Sequence, residues 1–196
     1  MPSKARTLLF LAIAAAAFAI ATPLDPWIYH HVSMPNVYEK DWGRALRTMG
    51  YWPLWIIVAI AFWLHGRPSA IAAWRGWSLA FSVSAAGLLC EVLKMLARRE
   101  RPGAHDGAYA FRPYSDHFFN TSGLGLPSSH AFLAFAASAT LARLFPRTAC
   151  IWYALATGCA VTRLLAGAHF LTDVVAGAVL GIVVASLVDR RKQALT

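Results

Sequence analysis

"ACIWYALATGCAVTRLLAGAHFLTDVVAGAVLGIVVASLV", residues 149–188, is a stretch of 40 residues whose only formal charges are Arg163 and Asp173. A membrane-spanning helix needs about 20 apolar residues, and one helix over this whole stretch would be about 60 Å long, twice the hydrocarbon thickness. The stretch is therefore two spans joined by a tight turn, with Gly167 as the turn residue. Arg163 then ends one span, while His169 and Asp173 begin the next, all near one membrane surface. An ionisable side chain inside the bilayer costs roughly 2.5–3.5 kcal/mol on insertion scales. A position near the interface lowers that cost. It does not explain why an arginine, a histidine and an aspartate stand together there.

The remainder of the chain has the same character. Its 196 residues are 58% hydrophobic, against about 45–50% for a soluble domain. Apolar segments at about 6–24, 51–65, 77–97 and 129–145 join 149–166 and 169–188 to make six spans. The expected fold is all-α: a polytopic, six-transmembrane-helix bundle forming one domain over residues 1–196. The second span is short, and Trp42 to Tyr51 can lead into it as an interfacial helix. The first has a competing reading, since Lys4, Arg6, an apolar core and "AIAT" also fit a secretory signal with an A-x-A site. Its length favours an uncleaved span.

A formal charge of +9 raises the question of nucleic acid. The basic residues fall at the ends of apolar segments and form no stripe, so the balance fits membrane topology and an anionic ligand instead. Lys4 and Arg6, the loop with Arg67 and Arg75, the loop with Arg143 and Arg147, and the tail with Arg190, Arg191 and Lys192 mark one side as cytoplasmic. The opposite loops are also basic, with Lys40, Arg44, Arg47, Arg98, Arg99, Arg101 and Arg112, which calls for some further use of those arginines. Cys90, Cys150 and Cys159 lie in apolar segments without metal-ligand spacing and read as small core residues.

Three clusters carry chemistry. In "KMLARRERP", residues 94–102, Lys94 and Arg101 are seven apart, which on a continued helix turns both the same way before Pro102 stops it. Taken alone this is an ordinary basic helix end. In "LPSSHAF", residues 126–132, Pro127 and Ser128 mark a helix entrance. Its unpaired N–H groups and positive dipole end suit an anion, Ser128 and Ser129 add hydroxyls, and His130 adds an acid/base group. In "TRLLAGAHFLTD", residues 162–173, His169 and Asp173 are four apart and share a helix face. A carboxylate bound to one imidazole nitrogen fixes the tautomer and leaves the other nitrogen nucleophilic. Arg163 offers a planar fork for phosphate. The plain alternative is a structural ion pair between Arg163 and Asp173 with the histidine incidental. An even number of crossings separates the three clusters, so all lie on one side of the membrane and together make an oxyanion site with a nucleophile and a proton donor.

The ordered set K-x6-RP, PSxH, R-x5-H-x3-D resembles the type 2 phosphatidic acid phosphatase family, six-span lipid phosphatases related to acid phosphatases and vanadium haloperoxidases. The match covers residues 94–173. Ser129 stands where glycine is commonest, and Thr162 where serine is; neither change removes a catalytic group. The resemblance implies a metal-independent, cofactor-free lipid phosphatase. His169 is its nucleophile, forming a phosphohistidine, and Asp173 orients it. His130 protonates the leaving group and then activates water. Lys94, Arg101, Arg163, Ser128 and Ser129 hold the phosphoryl oxygens. Fixed cations replace the metal that many phosphoryl-transfer enzymes use.

The substrate class is a membrane lipid phosphate or diphosphate, with undecaprenyl diphosphate, phosphatidylglycerophosphate, phosphatidate and lipid A phosphates as candidates. A lipid phosphotransferase with the same phosphohistidine is the alternative, and a non-enzymatic lipid transporter has no use for the Ser-Ser-His helix start. The expected location is a bacterial inner membrane, with the site on the extracytoplasmic face and the bilayer as partner. "HDGAYAFRPYSDHFF", residues 105–119, and "NVYEKDWGRALRTMGYW", residues 36–52, lie on that side and either select the headgroup or anchor the bundle. His30, His31, His105 and His117 imply no metal-ligand geometry, so no metal is assigned.

Overall fold

The computed structural model describes residues 4–66 and 70–193. Arg67 lies outside the described residues, as do the side chains of Arg190, Arg191 and Lys192. The chain forms α1 (Lys4–Val32), α2 (Asp41–Thr48), α3 (Trp52–His65), α4 (Ala70–Ala97), α5 (Ser129–Leu144), α6 (Ala149–Leu165) and α7 (Leu171–Gln193). All six expected segments are helical. The residues leading into the second are α2, bent by 60° from α3. Four helices are long and apolar enough to cross a membrane alone: α1, α4, α6 and α7. The bent α2–α3 pair makes a fifth. Outside helices, the described residues hold only two isolated bridges, Arg99 with Phe111 and Glu100 with Leu124.

The remaining expected segment, α5, has 16 residues and is the most enclosed helix. It packs on α7, α6 and α4, and Ala131 through Ala134 and Ala136 through Leu141 are buried. Its alanine-rich sequence allows this, because helices in lipid associate through small residues that bring backbones together. On α7, Gly177 and Gly181 complete the contact. A Cβ at Gly177 would lie 2.7 Å from the Ser128 carbonyl oxygen, and one at Gly181 would lie 2.5 Å from that of Phe132. The close approach seats the start of α5 directly against the start of α7, with the Ser128 amide donating to the Asp173 carbonyl at 3.0 Å.

Two helix ends differ from expectation. The first helix runs on past 24 to Val32 with Pro23 and Pro26 inside it, and it carries a buried acid, Asp25. At the other boundary α4 stops at Ala97, because Arg98 adopts a left-handed conformation with φ 52°. Side-chain bonds compensate for that unfavourable backbone. The Arg98 guanidinium donates to the carbonyls of Arg112 at 2.9 Å, Pro113 at 2.7 Å and Phe118 at 3.3 Å, and also to that of Asp116. Arg112 in turn donates to Glu100 at 3.0 Å and to the carbonyls of Asn120 and Ser122. Two of the arginines that the sequence left without a use thus organise the loop between α4 and α5. Glu100, held by His105 and Arg112, has its carboxyl kept below the usual range.

Candidate active site

The ends of α1, α4 and α6 and the starts of α5 and α7 meet at one end of the bundle. The α6–α7 turn is made by Gly167 with φ +59°, the left-handed value that its place in the sequence calls for. Met34, just beyond α1, donates to the Leu165 carbonyl at 2.6 Å.

The phosphate-holding candidates converge there. Lys94 is buried and donates to Ser129 Oγ at 2.5 Å and to Glu91 at 3.0 Å. Ser128 sits at the N-cap of α5, but its hydroxyl makes no cap bond; it is buried without a partner. The first intrahelical bond of α5 runs from the Phe132 amide to the Ser128 carbonyl. By helix geometry the amides of Ser129, His130 and Ala131 therefore have no intrahelical acceptor. Arg163 is buried, bonds the Tyr38 hydroxyl at 2.5 Å through Nη1, and leaves Nε unpartnered. Arg101 Nε is likewise buried and unpartnered. A buried donor without an acceptor is costly, about 1–3 kcal/mol. Several of them around one helix N-terminus are what an oxyanion-binding cradle requires.

His169 lies in the turn just before α7, not on the helix. Its Nδ1 is 3.1 Å from the Gly125 carbonyl and 3.4 Å from Asp173 Oδ2. Both acceptors call for a proton on Nδ1, which leaves Nε2 with a free lone pair. Burial pushes the imidazole down to about 4, more than Asp173 raises it, so it is neutral at pH 7. Asp173 is the third residue of α7, and its Oδ2 accepts the Phe170 amide at 2.9 Å, the reach-back half of a capping box. His130, in the first turn of α5, is half-buried and lies within electrostatic reach of Arg163, Arg47, His169 and Arg101. Gly50 backs it so closely that a Cβ there would come within 2.6 Å of His130 Cα and Cβ.

Two sequence expectations need correction, and the plain alternative fails. Lys94 and Arg101 do not share a helix face, since α4 has ended before Arg101. The bridge at Glu100 and the Arg101 amide bond to the Gly123 carbonyl bring Arg101 in from an extended segment instead. His169 and Asp173 meet across a helix start, and the nearer Nδ1 acceptor is Gly125. The alternative ion pair between Arg163 and Asp173 does not form. Asp173 pairs with Arg99, and Arg163 with Tyr38.

Arg99, Gly125, Tyr38 and Asp25 are site neighbours that sequence reasoning missed. Arg99 is one of four charged residues in "RRER", and nothing in the string separates it from Arg98. Asp25 did carry a signal, an acid within an apolar helix. Among the described residues no group of three His, Cys, Asp or Glu could hold a metal ion.

The sequence model of the PAP2 superfamily matches residues 75–195. The chain is 39% identical over 111 residues to a lipid A 1-phosphatase of Rhizobium johnstonii, and 38% identical over 157 residues to a lipid A 1-phosphatase of Rhizobium etli. Those alignments cover 56% and 72% of this chain but 44% and 66% of the relatives, so less than two thirds of either relative's length is matched. The crystal structure of a transmembrane PAP2-type phosphatidylglycerolphosphate phosphatase from Bacillus subtilis is similar in fold. Its TM-score is 0.64 at 22% identity, over 97% of this chain and 95% of that one.

Proposed function

This chain belongs to the PAP2 superfamily, and from that premise we propose that it is a membrane-bound phosphatase that hydrolyses a lipid phosphate through a phosphohistidine. The observation that carries this reading is the cluster of unpartnered buried donors on Ser128, Arg101 and Arg163 beside the free Nε2 of a neutral His169. His169 Nε2 attacks phosphorus as the bond to the lipid oxygen breaks, and His130, which carries a proton once the bound phosphate's negative charge offsets the surrounding arginines, gives that oxygen its proton. His130 then takes a proton from water, whose oxygen displaces His169 and releases phosphate. Negative charge spread over the phosphoryl oxygens is met by Lys94, Arg101, Arg163, Ser128, Ser129 and the α5 amides. Asp173 keeps the proton on Nδ1 through both steps and stabilises the imidazolium-like charge.

The two lipid A 1-phosphatase relatives favour lipid A phosphate among the candidate substrates. Purified enzyme in detergent, offered lipid A, phosphatidylglycerophosphate, phosphatidate and undecaprenyl diphosphate, is expected to release phosphate from lipid A at least about tenfold faster in kcat/KM than from the others. The rate should persist in EDTA, because resident cations do the work of a metal. Strict dependence on Mg²⁺ would sink the metal-free mechanism, and equal rates on all four lipids would remove the substrate assignment.

The site faces the extracytoplasmic side of a bacterial inner membrane on this reading, since the opposite end carries Arg6, Arg75, Arg143 and Arg147. Single cysteines placed between 103 and 120 should label from outside intact cells with an impermeant maleimide. Labelling only after permeabilisation would reverse the orientation.

A further inference from the structure

We propose that Asp25, on the first helix, is a positioning residue for the His169–Asp173 pair, acting through Thr172 and Arg99. The inference rests on the reading of His169 as nucleophile. Asp25 is fully buried, and three donors surround it. Its Oδ1 accepts the Thr172 amide at 2.9 Å, while its Oδ2 accepts the Thr172 hydroxyl at 2.5 Å and the Tyr109 hydroxyl at 2.7 Å. The Thr172 amide belongs to the first turn of α7, so Asp25 caps that helix from a separate element and meets the positive end of its dipole.

The Thr172 hydroxyl has one proton, and it goes to Asp25. Its oxygen must therefore accept, and it does so from Arg99 Nη2 at 2.7 Å. The same Nη2 also donates to Asp173 Oδ1, so both of its hydrogens are committed. Arg99 is held in that pose by two rings, with Tyr109 and Phe170 each 5.2 Å from its guanidinium carbon and edge-on to each other. With Oδ1 tied to Arg99 and Oδ2 tied to the Phe170 amide, the Asp173 carboxylate cannot rotate away from His169. Burial and the Asp25 charge push Tyr109 up to about 12, so it stays a donor across the physiological range.

The chain of bonds thus has a fixed polarity, carboxylate to hydroxyl to guanidinium to carboxylate to imidazole. None of Asp25, Tyr109, Thr172 and Arg99 is among the phosphate-holding candidates. Their effect falls on the orientation of the nucleophile, where a displacement of about 1 Å can cost about 10²-fold.

The test uses the full chain in detergent, with kcat and KM on a lipid phosphate and melting temperature measured for each variant. Thr172→Val removes the hydroxyl at nearly constant shape and should lower kcat about 10- to 100-fold with KM within about twofold. Thr172→Ser, which restores the hydroxyl, should recover most of that loss. A merely structural role would lower the melting temperature and the yield of folded protein but leave kcat per folded molecule intact. His169→Ala is run beside them. A wild-type kcat in Thr172→Val next to an inactive His169→Ala overturns the positioning role alone, as does a loss that serine fails to restore. Activity in His169→Ala overturns the nucleophile reading beneath it. Should Thr172→Val not fold, Tyr109→Phe touches the network from its outer edge. It is expected to lower kcat about three- to tenfold at unchanged KM, and a wild-type kcat there overturns the proposal equally.

Discussion

His169→Ala is expected to abolish turnover, with a fall on the order of 10⁴–10⁶ in kcat, and to eliminate any covalent phosphoryl label on the quenched enzyme. The size follows from what the side chain supplies. A buried neutral imidazole with Nδ1 directed at Gly125 and Asp173 leaves its Nε2 lone pair uncommitted. Lys94 is engaged by Ser129 and Glu91, and in the proposed mechanism His130 serves the leaving-group oxygen. Rapid quench with a labelled lipid phosphate, followed by mapping of the acid-labile phosphoryl group, is the measurement. A label that survives in His169→Ala, or that maps to His130, would reverse the roles of the two histidines.

His130→Ala should lose about 10²–10⁴-fold on a lipid monophosphate, the usual worth of a positioned general acid. The loss should shrink sharply on p-nitrophenyl phosphate, whose leaving group departs without a proton. Hydrolysis of the intermediate also needs His130 to activate water, so the variant should accumulate label on His169 that wild type turns over too fast to trap. The half-buried position of His130 at the start of α5 suits this traffic, because the proton must come from and return to solvent. Equal losses on the lipid and the aryl phosphate would mean that His130 shapes the site without moving a proton.

The helices were legible in the sequence because their signal is local. A run of apolar residues long enough to span a bilayer must be a helix, since no other backbone satisfies its own hydrogen bonds there. The turn at Gly167 and the helix start at Ser128 were legible for similar reasons. The positions of Lys94, Arg163, His130 and His169 at one end of the bundle followed from counting crossings. What stayed hidden was the partner of each charge. Whether Asp173 pairs with Arg163 or Arg99 depends on where α4 ends. That end is set by Arg98 reaching the carbonyls of a loop some 14 to 20 residues away. Asp25 was obscured differently. Pro23 and Pro26 suggest a break in the helix, but the helix continues through them and delivers the acid to α7.

The bond between Asp25 and the Thr172 amide closes a separation of 147 residues, and this has a consequence for biogenesis. During synthesis at about 5–20 residues per second, Thr172 emerges roughly 7–30 s after Asp25. Throughout that interval α1 waits in the bilayer with a carboxylate that has no helix end to cap. The partners that orient His169 come into register only as α7 inserts. A chain stalled before its last helix would already carry His169, yet it would lack Thr172 and Asp173, and the imidazole would have neither its carboxylate partner nor the helix start that seats it.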